Sequence, residues 1–447
     1  MELAIKIFQF ILSISILVVL HELGHFLPAK WFKTKVEKFY LFFDPWFSIA
    51  KKKIGETEYG IGWLPFGGYV KIAGMVDESM DTEQLKQPAQ PWEFRAKPAW
   101  QRLIIMLGGV TVNFFLAWLI YGCLSYFNGE TSFDSKGNTP MHYTHIAKAM
   151  GFEDGDKILK VDGKVQNNLD KLSLDILLSD QITVLRNGKE VTFNTNDDGK
   201  ALAFKDENPK AFLTPRYTAV IDTIINPKTA EAGLKVGDQV VSANGQKINY
   251  YDEFQAAVGK SAGKPIAIEV VRNGNLQPLS IPVSKEGTIG IASYKQIEKF
   301  ATTQHFTFGQ SIGRGFTRSI ESLTYQIKQF KLIFNKKVQG YKKVGGPIAI
   351  VKNMPVAKDK DGNVTIDWPL FWSFTAMFSV WLAFLNLIPI PGLDGGHVIF
   401  TLYEMIVGKP VPQKILENAQ MVGVIFLLGL MLLIFGSDIF KWITGSL

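Results

Sequence analysis

The sequence predicts a multi-pass α-helical membrane protein: four transmembrane helices, a membrane-associated β-hairpin and two small extracytoplasmic α+β domains. Three observations carry that prediction. Four long stretches are almost free of charge, a polar region separates the second from the third, and that region contains an internal repeat. The 447 residues are 47% hydrophobic, an ordinary globular value, so the information lies in how apolar residues are segregated.

The first span, Leu3–Leu20, carries a single charge, Lys6. Its length approaches the ~20 residues needed to cross hydrocarbon. No basic leader region or small-residue cleavage site accompanies it, so it reads as a retained span. Leu103–Phe127, Trp368–Ile390 and Met421–Phe435 are the other three, with a further apolar stretch, Val398–Val407, between the last two. Lys30, Lys33, Lys35, Lys38 and Lys51 to Lys53 follow the first span, an excess that marks the cytoplasmic side. The amino terminus is then outside, residues 33–100 inside and 128–367 outside. These loops account for the net charge of +7. No basic face with interleaved aromatics exists to take nucleic acid, so the expected surroundings are the lipid bilayer. Cys123, the only cysteine, excludes an internal disulfide and reads as a small apolar core residue of the second span.

Between the first two spans, Glu58–Ile72 shows two alternating segments around Pro65-Phe66-Gly67-Gly68, the pattern of a hairpin with a Pro/Gly turn. A strand edge there could hold an extended peptide by main-chain hydrogen bonds, or the hairpin could simply pack beneath the membrane.

The polar region repeats itself. Gly151–Gly163 resembles Gly233–Gly245 at an offset of 82 residues, and Arg186-Asn187-Gly188 recurs as Arg272-Asn273-Gly274. Each copy reads as a Gly-Asp turn, an apolar strand and an Asp-Gly or Asn-Gly turn. The pattern resembles bacterial PDZ domains, most closely over Ala232–Gly245. Such domains bind peptides along a sheet edge, and a steric lid or spacer is the plainer alternative.

Chemistry concentrates in His21-Glu22-Leu23-Gly24-His25 at the end of the first span. Helical positions four apart share a face, so both imidazoles can reach one zinc ion, with Glu22 beside it as a general base. Histidines at a helix end could instead cap carbonyls. A catalytic zinc takes three protein ligands, so a partner is required. Asn386–His397 (NLIPIPGLDGGH) supplies a break at membrane depth through Pro389, Pro391 and three glycines. Asp394 is the candidate third ligand. It could alternatively cap the following helix, and His397 competes as ligand in second place.

Taken together, these motifs are similar to those of bacterial site-2 proteases of the RseP type, which are intramembrane zinc metalloproteases. The resemblance runs through His21–His25, Thr57-Glu58-Tyr59, Leu64–Val70, Trp100-Gln101-Arg102, Asn113-Phe114, Gly346-Pro347-Ile348 and Asn386–His397. It implies Zn2+ held by His21, His25 and Asp394, with Glu22 as base. It also implies a membrane-reentrant substrate-binding loop around Phe66, Gly67, Gly68 and Tyr69, with Asn386 helping to hold the unwound substrate. The PDZ-like pair would filter substrates by size. Mixed basic and apolar residues over Ser311–Val338 read as an amphipathic helix on the membrane surface, and the family carries such an element after its PDZ domains. Substrates of the family are single-pass membrane proteins, among them anti-sigma factors and remnant signal peptides, in the bacterial cytoplasmic (inner) membrane. One departure is that Gly109-Val110 stands where a Gly-Pro usually precedes the Asn-Phe pair, which weakens any role for Asn113. The expected domains are 1–127 (two spans and the hairpin region), 128–208 and 209–298 (PDZ-like), 299–367 (linker helix) and 368–447 (last two spans). A catalytically silent adaptor and a processing protease for one dedicated precursor are the competing readings.

Overall fold

The computed structural model describes residues 1–75, 87–133, 141–165, 169–205, 212–293, 301–358 and 363–444. The chain forms two compact units. One comprises Met1–Gly129, His305–Phe330 and Lys343–Leu447, and the other Glu130–Gln304 and Lys331–Lys342.

In the first unit, four helices are long and apolar enough to cross a membrane: α1 (Glu2–Trp31), α2 (Ala99–Phe127), Trp368–Leu387 and Gln413–Ile443. Three of them outrun the apolar stretches that announced them, because a helix continues into the polar zone where hydropathy falls. The third stops short of Ile390, since Pro389 and Pro391 each lack the amide that would continue it. The apolar stretch Val398–Val407 belongs to a 14-residue helix, Asp394–Val407. At 1.5 Å per residue it covers about 21 Å, less than the ~30 Å of hydrocarbon.

Hydrocarbon offers no partner to a polar group, so polar side chains join these helices to one another. Ser13 meets Thr375 at 3.0 Å, and the Ser379 hydroxyl donates to the Asn113 carbonyl at 2.7 Å. At one end of the unit, Arg102 on α2 pairs with Glu404. At the other, Asp438 is fully buried and accepts from the amides of Gly346, Ile348 and Ala349 at 2.8, 3.0 and 3.2 Å. Cys123 corrects its expectation: it is exposed on α2 rather than in a core. On a membrane helix the outward face is also apolar, so an apolar neighbourhood does not imply burial.

The hairpin is built differently from the sequence reading. Its strands are β1 (Val36–Ile54) and β2 (Thr57–Ile72), and the turn between them is Gly55-Glu56. Pro65–Gly68 lies inside β2 and is no hairpin turn. Residues 39–41 of β1 pair with β2 twice: Phe39 stands opposite Tyr59 and Val70, Tyr40 opposite Gly60 and Tyr69, Leu41 opposite Ile61 and Gly68. The two alternating segments therefore flank one stretch of β1 instead of pairing with each other. Gly67, at φ +111°, makes the crossing in a conformation that a side chain would strain. The Thr57 hydroxyl donates to the Val36 carbonyl and the Tyr40 hydroxyl to Glu58, while the Tyr59 ring packs against Phe26 and Phe39, so the Thr-Glu-Tyr motif serves as sheet glue.

This sheet lies along α1. Glu56 approaches Lys30 at 3.9 Å, while a Cβ on Gly68 would stand 2.6 Å from Val18. Those α1 positions are separated by about 18 Å of helix. The far end carries Trp46, 90% exposed, and Phe47, both stacked on Trp63.

The helix expected over Ser311–Val338 runs from Phe308 to Ile333. Within the first unit its face is covered by protein as well as open. A Cβ on Gly315 would stand 2.6 Å from the Gly122 nitrogen of α2, and the Trp118 indole donates to the Ile312 carbonyl at 2.7 Å.

In the second unit the repeat is visible strand by strand. One four-stranded sheet runs in the order Lys164–Val165, Lys157–Val161, Gln181–Arg186, Lys189–Asn194. The other runs Gln246–Lys247, Gln239–Ala243, Ile266–Arg272, Asn275–Ile281. The register slips between Ile158 and Lys160 in one and between Val240 and Ser242 in the other, so even the bulge keeps the offset. Asp156 and Asp238 are each about 1% exposed or less and bind Arg186 and Arg272 respectively, which explains why Gly-Asp and Arg-Asn-Gly travel together.

Candidate metal centre

α1 turns His21 and His25 to one side, where both are buried at 7% and 6% exposure. Asp394 arrives from the helix after the Pro389–Gly392 break. It is the first helical residue, Leu393 occupies the cap position, and no side chain caps that end. The carboxylate therefore does not cap, and it faces the imidazoles instead. Gly395 and Gly396 permit this approach, because a Cβ on either would stand 2.3 or 2.8 Å from the carbonyls of Ile388 and Ile390.

Three atoms converge. His21 Nε2 lies 3.4 Å and His25 Nε2 3.3 Å from Asp394 Oδ2, and the two nitrogens are 3.3 Å apart. Zinc bonds of about 2.05 Å meeting tetrahedrally would separate ligand atoms by about 3.35 Å, so all three edges suit one zinc ion. Asp394 Oδ2 is buried with no hydrogen-bond partner. His25 Nδ1 lies 2.8 Å from the Ile105 carbonyl, to which its N–H donates, leaving the Nε2 lone pair directed at the cluster. Among the described residues these three side chains form the only such group of donors. His397 is not in it.

Glu22 stands beside the cluster. A Cβ on Gly68 would be 3.6 Å from the Glu22 side chain, and the Val70 amide faces its carboxylate. The β2 segment around Gly68 thus lies against α1 at the level of Glu22. Tyr69 directs its hydroxyl to Asp44 at 2.8 Å and stacks on Tyr40, so its side chain is held within the sheet. Gly67 lies behind it, near Phe43. The Phe66 side chain is outside the described residues. Asn386, on the last turn of Trp368–Leu387, brings its amide within 3.1 Å of His21 Nε2.

The sequence reading undervalued α2. Gly24 and Gly108 let the two helices touch: a Cβ on Gly108 would stand 1.9 Å from the Gly24 carbonyl oxygen. One on Gly109 would stand 2.4 Å from His25 Nε2 and 2.6 Å from His21. Asn113, fully buried, reaches His21 Nδ1 at 3.0 Å. The available signals were a Gly-Gly pair and an amide inside a span, both marks of close helix packing. Gly109→Ala is expected to weaken zinc retention at least about tenfold by displacing the imidazoles, measured as metal content after dialysis against a chelator.

The family model of peptidase family M50 matches residues 9–430. The chain belongs to that family. It is 28% identical over 455 residues to the regulator of sigma-E protease RseP of Escherichia coli, covering 95% of this chain and 96% of the relative. It is 27% identical over 451 residues to the regulator of sigma E protease of Haemophilus influenzae, with 94% and 96% covered. A Clostridium perfringens chain assigned by name to the zinc metalloproteases is 28% identical over 433 residues, with 96% and 97% covered. This member of M50 is a site-2-type zinc metalloprotease of the membrane, similar to the RseP proteins.

Proposed function

We propose that the enzyme hydrolyses peptide bonds in or near the transmembrane segments of single-pass proteins, in the bacterial cytoplasmic membrane. The observation that carries this reading is that Asp394 meets His21 and His25 at tetrahedral spacing beside Glu22, both histidines and the glutamate lying on a helix long enough to span a bilayer. Zinc held by those three residues supplies Lewis-acid polarisation of the scissile carbonyl. Glu22 takes a proton from the attacking water and returns it to the leaving amine. The Asn386 amide donates to the carbonyl oxygen as negative charge develops on it.

A helical substrate must unwind before its carbonyls can be reached. The Gly67–Tyr69 backbone, lying against α1 near Glu22, suits an extended chain held by main-chain hydrogen bonds. Phe66 belongs to the same substrate-binding segment. The exposed Trp46 and Phe47 suit immersion of that end of the sheet in lipid. The modules at 128–208 and 209–298 are PDZ-like, lie on the extracytoplasmic side and restrict substrates by size. The segment 299–367 links them to the last two spans at 368–447, and residues 1–127 hold the first two spans and the sheet. Anti-sigma factors and remnant signal peptides are the substrate classes that fit, which places the enzyme in regulated intramembrane proteolysis.

The test is cleavage of a single-pass model substrate by the purified full-length protein in detergent. Cleavage should stop on zinc chelation and return with zinc. Zinc-loaded protein that binds such substrates without cleaving them would instead support a silent adaptor.

A further inference from the structure

Both imidazoles of the cluster turn their second nitrogen toward α2. His25 Nδ1 meets the Ile105 carbonyl at 2.8 Å, and His21 Nδ1 meets the Asn113 side chain at 3.0 Å. The two partners lie on either side of Gly109, the residue whose missing side chain admits both rings. The position of Asn113 is itself fixed: its side chain is fully buried, and its carbonyl accepts from the Ser379 hydroxyl at 2.7 Å. Its Oδ1 is buried with no hydrogen-bond partner.

We infer that Asn113 is the positioning residue for His21, its amide oxygen accepting the Nδ1 proton so that the Nε2 lone pair is presented to the metal. This rests on the ligand set proposed above. With the amide nitrogen facing Nδ1, His21 would have to carry its proton on Nε2, the nitrogen that faces Asp394 and the metal. With the oxygen facing Nδ1, the proton sits on Nδ1 and Nε2 is free to ligate. Amide oxygen and nitrogen have the same shape, so their assignment follows from the hydrogen-bond network. The metal chooses. A ligating histidine that donates its other N–H to a fixed acceptor is the general arrangement, and removing such an acceptor costs about 10–100-fold in metal affinity. α2 then supplies both acceptors: a main-chain carbonyl for His25, which no substitution removes, and a side chain for His21, which one can.

The experiment measures zinc affinity of the full-length protein in detergent by competition with a chromophoric chelator, alongside the thermal midpoint of the zinc-free state. Asn113→Leu, similar in size but without an acceptor, should bind zinc about 10–100-fold more weakly. Asn113→Asp, which keeps an acceptor oxygen, should bind at least as tightly as the wild type. A residue serving packing alone would give the reverse order, because a buried carboxylate is costlier than leucine. Wild-type affinity in Asn113→Leu, or a loss in Asn113→Asp equal to that in Asn113→Leu, overturns the inference. If the leucine variant does not fold, the aspartate variant decides alone, and a loss beyond about tenfold counts against it. Asp394→Ala is measured in the same series. Unchanged zinc affinity there would remove the ligand set itself, a failure distinct from that of Asn113.

Discussion

Glu22→Gln is expected to abolish cleavage of a transmembrane substrate while the protein retains one zinc per chain. Glutamine has the size of glutamate, so the α1 contact with Gly68 and the position beside His21 persist. It cannot take up a proton. General acid–base assistance is worth about 10²–10⁴-fold, and in the proposed mechanism a single carboxylate serves both the attacking water and the leaving amine. A rate loss toward the upper end of that range is expected in single-turnover cleavage, with zinc content measured by atomic emission on the same preparation. Full activity in this variant would sink the proposed mechanism. Loss of zinc would move Glu22 into the ligand set.

Asp394→Ala should lose both metal and cleavage. It removes one of three donors and leaves two buried imidazoles whose Nε2 atoms are 3.3 Å apart with no anion between them. Two-histidine sites of this kind do not complete zinc coordination, since catalytic centres use three protein ligands and one open position. After dialysis against a weak chelator, the variant should hold almost no zinc. His397→Ala is the control, because it lies on the same short helix outside the donor cluster. It should keep one zinc per chain. The opposite pairing of results, zinc kept without Asp394 and lost without His397, would exchange the roles of the two residues.

The parts of this architecture that were legible in the sequence are those written locally. A run without charge announces a span, because burial in lipid leaves little choice of residue. The repeat was legible since its Asn-Gly and Asp-Gly turns demand particular residues at fixed positions, as at Asn187 and Asn273 with φ of 50° and 51°. The approach of Asp394 to His21 and His25 followed from a chemical need, an incomplete donor set looking for a partner at the same depth.

What was not legible depends on pairing across distance. Pro65–Gly68 has the composition of a turn, and only the presence of residues 39–41 between the two flanking segments makes it a crossing. Cys123 looked like a core residue because hydropathy does not distinguish lipid from protein. Asn113 was discounted on the absence of a neighbouring proline, whereas its contact with His21 depends on the helix crossing at Gly24 and Gly108.

The donors at the candidate centre come from the two extremes of the chain, His21 near its beginning and Asp394 near its end. A ribosome delivers them far apart in time. While the last spans are still being made, α1 already stands in the bilayer with two imidazoles and a glutamate but no third donor. On the proposed ligand set, an unfinished copy lacks its third zinc donor until residue 394 is released and docked. The order of synthesis then acts as a timer on the proposed ligand set.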